Sequence, residues 1–180
     1  MRMRIVRVVA ACVAVLATAA MAGGPASAAV AAGGYGPHRC YVSELAVGFH
    51  GGQAGLGNRG FLVTLTDVSG VSCRLDGYPG LELRDASWRP LFTRTRPGPT
   101  YFSPDPGRKL IVLSPGETAS ADISFGVAGQ RPNSVLATYL QVKPPGSHRQ
   151  FVLRIPSGAA LVYRGELDVT ALARHTPYFP

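Results

Sequence analysis

The residues of this chain that are best suited to binding chemistry are cations and aromatic rings around one proline-rich segment, Thr95–Arg108. Guanidinium and ammonium groups bind carboxylate or phosphate, and aromatic faces stack on cations and sugar rings. An alternative is that arginines scattered over a surface only confer solubility. The predicted ligand-binding residues are Arg94, Arg96, Tyr101, Phe102, Arg108 and Lys109.

A second group with possible chemistry is the carboxylate pair Glu166 and Asp168. They alternate with apolar residues, so on a strand they would share one face with their carboxylates about 7 Å apart. Inverting glycosidases use such separations. Catalytic carboxylates flank a cleft and differ in environment, however, whereas neighbours on one exposed strand are usually solvated. We therefore predict a non-catalytic protein, with a hydrolase of envelope polymers, its site assembled only in the fold, as the alternative.

Cofactor and metal sites are not predicted. The four histidines, at positions 38, 50, 148 and 175, have neither metal-ligand nor catalytic-triad spacing. The motifs G-x-S-x-G and H-E-x-x-H and a phosphate loop are absent from the sequence. We expect no cofactor and no bound metal.

The charge balance is moderately basic. The chain has 18 basic and 10 acidic residues and a formal net charge of +8. Nearly all the basic residues are arginine, which fits either bidentate recognition of carboxylate and phosphate or a GC-rich genome. Nucleic acid is not expected as a partner, because the chain has an export signal and no recognisable binding motif. The partner is unknown, and an anionic cell-envelope polymer or lipid is the candidate.

The first 28 residues have the features of a secretory signal peptide. Three arginines precede the apolar stretch Val8–Ala20, and Ala26-Ser27-Ala28 matches an A-x-A cleavage site. Cleavage there leaves residues 29–39 as a flexible leader, and a mature chain without a transmembrane segment that is secreted or associated with the cell envelope. Lipid attachment at Cys12 is an alternative, because Val9-Ala10-Ala11-Cys12 loosely matches a lipobox.

Two cysteines, Cys40 and Cys73, remain after signal removal. An exported chain meets an oxidising environment in which such a pair forms a disulfide. No C-x-x-C or H-x-x-x-H supplies the further ligands that a metal site would need. The bridge would close a loop of roughly 34 residues and contribute about 3.8 kcal/mol by the chain-entropy relation.

The remaining sequence predicts one all-β domain over residues 40–180. Short alternating or apolar runs are separated by turns rich in Gly and Pro, and no window predicts an amphipathic helix. We expect an antiparallel β-sandwich, with the Gly51–Gly60 and Thr95–Arg108 segments as connections. The predicted strands are Tyr41–His50, Phe61–Asp67, Cys73–Leu75, Leu81–Arg84, Trp88–Thr93, Lys109–Leu113, Thr118–Val127, Tyr139–Lys143, Phe151–Ile155 and Glu166–Leu172.

Three motifs of this domain carry a family resemblance. They read C-R-L-D-G-Y-P-G from Cys73, L-S-P-G from Leu113 and V-K-P-P-G from Val142. With the opening Cys40, they resemble an actinobacterial family of exported proteins and lipoproteins known as a domain of unknown function. The resemblance implies an immunoglobulin-like β-sandwich, an envelope or extracellular location, a Cys40–Cys73 disulfide and no established activity. Many relatives have a second cysteine pair in the C-terminal half, which this chain lacks.

The predicted disulfide has a measurable effect on stability. We expect Cys73→Ser to lower the free energy of unfolding by about 2 to 5 kcal/mol, because the unfolded chain loses its cross-link. Denaturant unfolding of the mature protein measures this loss, and chemical reduction of the unmodified protein should reproduce it. An unchanged melting temperature on reduction would contradict a structural bridge.

Overall fold

The computed structural model describes residues 36–127 and 132–176, which belong to one compact unit. The predicted signal peptide and residues 29–35 of the predicted leader lie outside the described residues. The last leader residues belong to the fold: the carbonyl of His38 accepts a hydrogen bond from Arg74 N at 2.8 Å, and Arg39 forms a parallel bridge with Arg74. The β structure therefore begins just before Cys40.

The described residues form twelve β-strands and one 3₁₀ turn, Val42–Glu44. The strands are β1 (Leu45–Gly55), β2 (Asn58–Asp67), β3 (Cys73–Asp76), β4 (Gly80–Arg84), β5 (Arg94–Pro97), β6 (Leu110–Leu113), β7 (Thr118–Gly126), β8 (Ser134–Ala137), β9 (Tyr139–Lys143), β10 (Phe151–Arg154), β11 (Ala160–Tyr163) and β12 (Glu166–Val169).

These strands confirm the all-β prediction and form four hydrogen-bonded sheets. The largest has the order β1-β2-β7-β12-β5, a second has the order β10-β9-β4, and the pairs β11-β8 and β3-β6 complete the set. All strand pairs are antiparallel except β12 with β5, which is parallel. The immunoglobulin-like topology stays a prediction.

The hydrophobic core depends on the alternation of residues along β7, the central strand of the largest sheet. Ala119, Ala121, Ile123 and Phe125 are buried in the core, and the intervening residues lie on the opposite face because successive side chains of a strand alternate. All four sheets contribute to this core, including Leu65, Leu75, Leu83, Leu113, Leu140, Val142 and Val162.

The disulfide prediction is confirmed. Cys40 and Cys73 are bonded with a Cα–Cα distance of 4.8 Å, and both side chains are buried in the core. The bond joins the segment before β1 to β3. It therefore anchors the start of the domain to a strand that hydrogen-bonds with β6.

The sequence predicted that the Gly51–Gly60 segment is a long connection, and this prediction is wrong. The segment forms the ends of β1 and β2, which meet in a tight turn at Leu56 and Gly57, both with positive φ. The register shifts between His50 and Gln53, as in a β-bulge. Backbone hydrogen bonds need no side chain, so a glycine-rich run can pair as a strand where its composition predicts a loop.

The predicted strand Trp88–Thr93 is also wrong. Asp85 Oδ1 accepts hydrogen bonds from the backbone N–H groups of Ser87 and Arg89, at 2.8 and 3.0 Å, and this turn takes the place of a strand start. The β pairing of these residues is limited to one isolated bridge between Arg84 and Pro90.

Three strands were not predicted. Arg94–Pro97, most of it assigned to the proline-rich connection, forms β5 at the sheet edge, where proline is tolerated because its missing N–H faces away from the ladder. Strands β8 and β11 are four residues each and pair with one another. Such short runs carry too little alternation to identify from sequence.

The turn between β11 and β12 generates a stability prediction. Gly165 has φ +63°, and a Cβ there would lie 2.1 Å from the Phe92 carbonyl oxygen, whereas Gly158 has φ +83° and open space around it. We expect Gly158→Ala to cost about 1 kcal/mol from backbone strain alone. Gly165→Ala should cost roughly 3 kcal/mol, because the Phe92 backbone must also move. Equal losses for the two variants in denaturant unfolding would contradict this packing.

Candidate functional site

The proline-rich segment lies across the outer face of the largest sheet and is fixed to β7. The Thr100 hydroxyl donates a hydrogen bond to Asp122 Oδ1 at 2.6 Å, and Tyr101 N donates to Ser124 Oγ at 3.1 Å. Thr100 Oγ1 also accepts from the backbone N–H groups of Phe102 and Ser103. The first half of the segment is therefore held in place by its own backbone and by the polar side of β7.

Asp122 is fully buried beneath this segment. Burial raises the pKa of its carboxyl, and this effect outweighs the opposing contributions of the Thr100 hydroxyl and the Gln53 amide. Asp122 Oδ2 and both amide atoms of buried Gln53 lack a hydrogen-bond partner of standard geometry among the described residues. Asp122 therefore attaches the segment to β7, while Gln53 also lines a neighbouring cleft.

Asp105 fixes the second half of the segment. Its carboxylate accepts hydrogen bonds from the Tyr78 hydroxyl and from Ala171 N. Burial alone would raise the pKa of Asp105, but the donors Tyr78, Ala171 and Gly107 prevail and lower it. The same bond raises the pKa of Tyr78. Tyr78 thus ties its own turn to the proline-rich segment.

Arg94 and Arg96 lie on edge strand β5 and face the two carboxylates of β12. Arg96 binds Asp168 through two hydrogen bonds of 2.7 and 3.2 Å, and its Nη1 is 3.3 Å from Glu166. Arg94 lies 3.8 Å from Glu166. The carboxylates considered for hydrolysis and two of the predicted ligand cations are therefore partners of each other.

The other four predicted residues do not gather around these arginines. Tyr101 and Phe102 pack edge to face, with ring centroids 5.0 Å apart, and contact the end of the β1-β2 hairpin at Gly55. Arg108 pairs with Asp76 at 3.0 Å, and Lys109 is exposed. Ligand binding by this set stays a prediction, but its charges are largely compensated within the fold.

A cleft of about 400 Å³ near the disulfide has a different character. We call it the cationic cleft because the lining residues that are charged at neutral pH, Arg39 and Arg149, are both basic. Two segments form it, one running into the 3₁₀ turn and one connecting β9 to β10. It is lined by Arg39, Cys40, Tyr41, Val42, Ser43, Gly146, Ser147, His148 and Arg149.

Local structure fixes both segments of the cationic cleft. Cys40 N donates a hydrogen bond to the Arg74 carbonyl at 3.0 Å, and the His38 carbonyl accepts one from Arg74 N. Arg39 lies between these two hydrogen bonds. The Arg39 guanidinium lies against Gly146, where a Cβ would overlap it. On the other segment, Ser147 Oγ accepts from Arg149 N and donates to the Arg149 carbonyl, both at 3.0 Å.

The cations of this cleft are electrostatically available. Within residues 36–127 and 132–176, neither Arg39, His148 nor Arg149 forms an ion pair with a carboxylate. The sequence analysis missed this site because Arg39 and Arg149 lie far apart in the chain. The signal that could have pointed to it is the run P-P-G-S-H-R, a tight turn followed directly by two basic residues.

Two further clefts are present. One of about 510 Å³, at the end of the β1-β2 hairpin, is lined mostly by apolar residues such as Phe61, Phe125 and Leu161. Another of about 430 Å³ includes Arg94. Across the described ranges there is no cluster of three or more metal-ligating side chains. The same ranges contain no helix long and apolar enough to cross a membrane.

Comparison with protein families extends the resemblance found in the motifs. The model of the family described as Domain of unknown function (DUF4232) matches residues 40–173, from the first cysteine of the disulfide to just beyond β12. This chain belongs to that family. The matched range contains all twelve strands of the DUF4232 domain and the lining of the cationic cleft except Arg39, which precedes it by one residue. Searches of curated proteins and of solved structures found no significant match.

The raised pKa of Asp122 predicts a pH-dependent stability. The folded chain binds this proton more tightly than the unfolded chain, so the contribution of Asp122 is full below the unfolded pKa and is lost as the pH rises through the folded pKa. Asp122→Asn keeps an acceptor for Thr100 and cannot ionise. Relative to the unmodified protein, we expect its free energy of unfolding to increase between acidic and neutral pH, because the unmodified protein loses stability over that range. Parallel pH profiles of denaturant unfolding for the two proteins would contradict this assignment.

Proposed function

We propose that this DUF4232 domain is a non-catalytic binding module, secreted or associated with the cell envelope, that recognises phosphate- or carboxylate-bearing envelope components. The observation that supports it is the cationic cleft, where Arg39, His148 and Arg149 surround a cavity without a carboxylate in its lining. Export follows from the signal-like residues 1–28 and remains part of the proposal.

The contrast between paired and unpaired cations is the physical basis of the proposal. Arg96 and Arg108 already bind carboxylates, so an incoming anion would have to displace Asp168 or Asp76. Arg39 and Arg149 have no such competitor among the described residues. An anion entering their cleft gains charge-assisted hydrogen bonds without breaking an existing pair.

The lining of the cleft provides several hydrogen-bond donors for one anionic group. Two guanidinium groups can each donate two parallel hydrogen bonds to a carboxylate or phosphate, and the Ser43 hydroxyl can supply another donor. Tyr41 is 63% exposed at the rim, where its ring can cover the rest of the ligand. These contacts are sufficient to bind an anion and involve no bond cleavage.

The alternative of a hydrolase receives less support from the carboxylates. Glu166 and Asp168 are held by arginines, as in a structural ion-pair network. Asp122, whose pKa burial raises, lies beneath the proline-rich segment rather than in a cleft. A general acid needs access to its substrate.

The test is co-sedimentation of the mature protein with isolated cell-envelope fractions over a salt series. We expect binding that weakens as salt screens the charges, and a reduction of about tenfold or more in the Arg39→Ala/Arg149→Ala double variant. The matched control is Arg94→Ala/Arg96→Ala, which removes the same number of arginines from the paired set. Equal losses in both double variants, or none in the first, would contradict the cleft as the site.

A second set of binding measurements distinguishes two sources of the anion, a lipid headgroup and an anionic polymer. Vesicles of phosphatidylcholine with and without phosphatidylglycerol report binding to a lipid headgroup. Envelope fractions extracted free of lipid report binding to an anionic polymer. Binding to neither at low salt would contradict an anionic envelope ligand.

A further inference from the structure

Trp88, the one tryptophan in the sequence, forms an exposed aromatic surface on the three-stranded sheet. Its ring stacks on that of Tyr139 from β9, with centroids 4.3 Å apart and planes 23° from parallel. Despite this contact Trp88 remains 53% exposed. One side of the indole therefore rests on Tyr139 while much of the ring is open to solvent. We call this pair the aromatic platform.

The backbone holds Trp88 in a conformation that non-glycine residues rarely adopt. Its φ is +65°, in the left-handed region. Asp85 stabilises the turn by accepting hydrogen bonds from Ser87 N and Arg89 N, and Arg84 donates to the Trp88 carbonyl at 2.8 Å. A large aromatic residue at such a position, supported from both sides, is typical of a site that presents a side chain.

Polar side chains border the platform on the sheet surface. The register places Tyr139 opposite Arg84 on one side and Arg154 on the other. Arg84 binds Gln141 Oε1 at 3.0 Å and pairs with Glu82 at 2.7 Å. Arg154 is exposed and has no ion pair with a described residue. Donors and acceptors thus lie beside an open ring.

We propose that the aromatic platform binds a sugar ring of a neutral glycan. One face of a pyranose carries C–H groups whose partial positive charge complements the negative face of an indole, and its rim carries hydroxyls that both donate and accept hydrogen bonds. Trp88 supplies the stacking surface, Gln141 and Arg154 supply donors, and Glu82 supplies an acceptor.

The composition of the border favours a glycan over a protein partner. The centre of a protein interface is depleted in charged residues, whereas here charged and amide side chains begin directly beside the rings. On the β4 side of the platform the charge of Arg84 is compensated by Glu82, so among the described residues Arg154 is the bordering cation without a carboxylate partner. The platform shares no residue with the cationic cleft, so it adds a second binding surface to the proposed module.

The experiment uses the fluorescence of Trp88, which reports on the platform directly because the sequence has no other tryptophan. The mature protein is titrated with cellohexaose, soluble mannan and dextran in high salt, where binding to the cationic cleft is screened. We expect at least one of these glycans to shift or quench the emission saturably and to protect Trp88 from acrylamide.

Variants assign the binding to the rings. Affinity electrophoresis in gels containing the bound glycan should show about tenfold or greater loss of affinity for Trp88→Ala, and a smaller loss for Trp88→Phe, which keeps an aromatic face. The matched control is Phe92→Ala, which removes an exposed aromatic ring outside the platform, since Phe92 is 71% exposed. Circular dichroism checks that each variant is folded.

Three outcomes would overturn the proposal. These are the absence of a fluorescence response to every glycan, an equal loss of affinity in Trp88→Ala and Phe92→Ala, and a response to a decaproline peptide in place of the glycans. The Arg39→Ala/Arg149→Ala variant should bind the glycan like the unmodified protein. A failure of the cationic cleft is therefore distinguishable from a failure of the platform.

Discussion

The proline-rich segment is attached to the polar side of β7, and this attachment determines how the outer face of the largest sheet is covered. A central strand with apolar residues on one face and Ser120, Asp122 and Ser124 on the other leaves polar groups that must be hydrogen-bonded once they are covered. The segment supplies the Thr100 hydroxyl to Asp122 Oδ1 and the Tyr101 amide to Ser124, whereas the Ser120 hydroxyl bonds to that of Thr176. Strand β5 leads into the segment and pairs in parallel with β12. This pairing brings the arginines of β5 and the carboxylates of β12 together.

That pairing changes how the charge of the protein is interpreted. The basic residues that are most conspicuous in the sequence largely neutralise acidic residues of the same domain, and exposed ion pairs of this kind contribute little to stability. Among the cations that remain without a carboxylate partner, Arg39 and Arg149 lie together in one cleft near the disulfide. A net positive charge alone therefore did not locate the proposed binding surface, because what matters for an incoming anion is which cations lack a partner and lie close together.

The two proposed surfaces have a common construction. In the cationic cleft, Ser147 caps the turn that presents Arg149, and in the aromatic platform Asp85 caps the turn that presents Trp88. Both turns connect short strands whose apolar side chains are committed to the core. Rigid strands that carry binding residues on short, internally hydrogen-bonded turns are a general way to add function to a β-sandwich. In the proposed envelope-binding module, one surface for charge and one for sugar rings would allow contact with polymers carrying both.

The features that local sequence predicts correctly are those with local causes. Alternation identified β7 and β9, the turn residues at Pro144–Gly146 marked a strand end, and two cysteines in a chain predicted to be exported implied their bridge. The errors arose where side-chain composition and backbone pairing disagree, as in the glycine-rich ends of β1 and β2 and in the turn at Asp85. Which side chains contact each other is not a local property. Arg96 contacts Asp168, and Arg39 contacts Gly146, only because segments distant in the chain pair with each other. The sequence thus specifies an all-β, disulfide-linked chain, while the availability of each cation and the stacking of Trp88 on Tyr139 follow from contacts between residues distant in the chain.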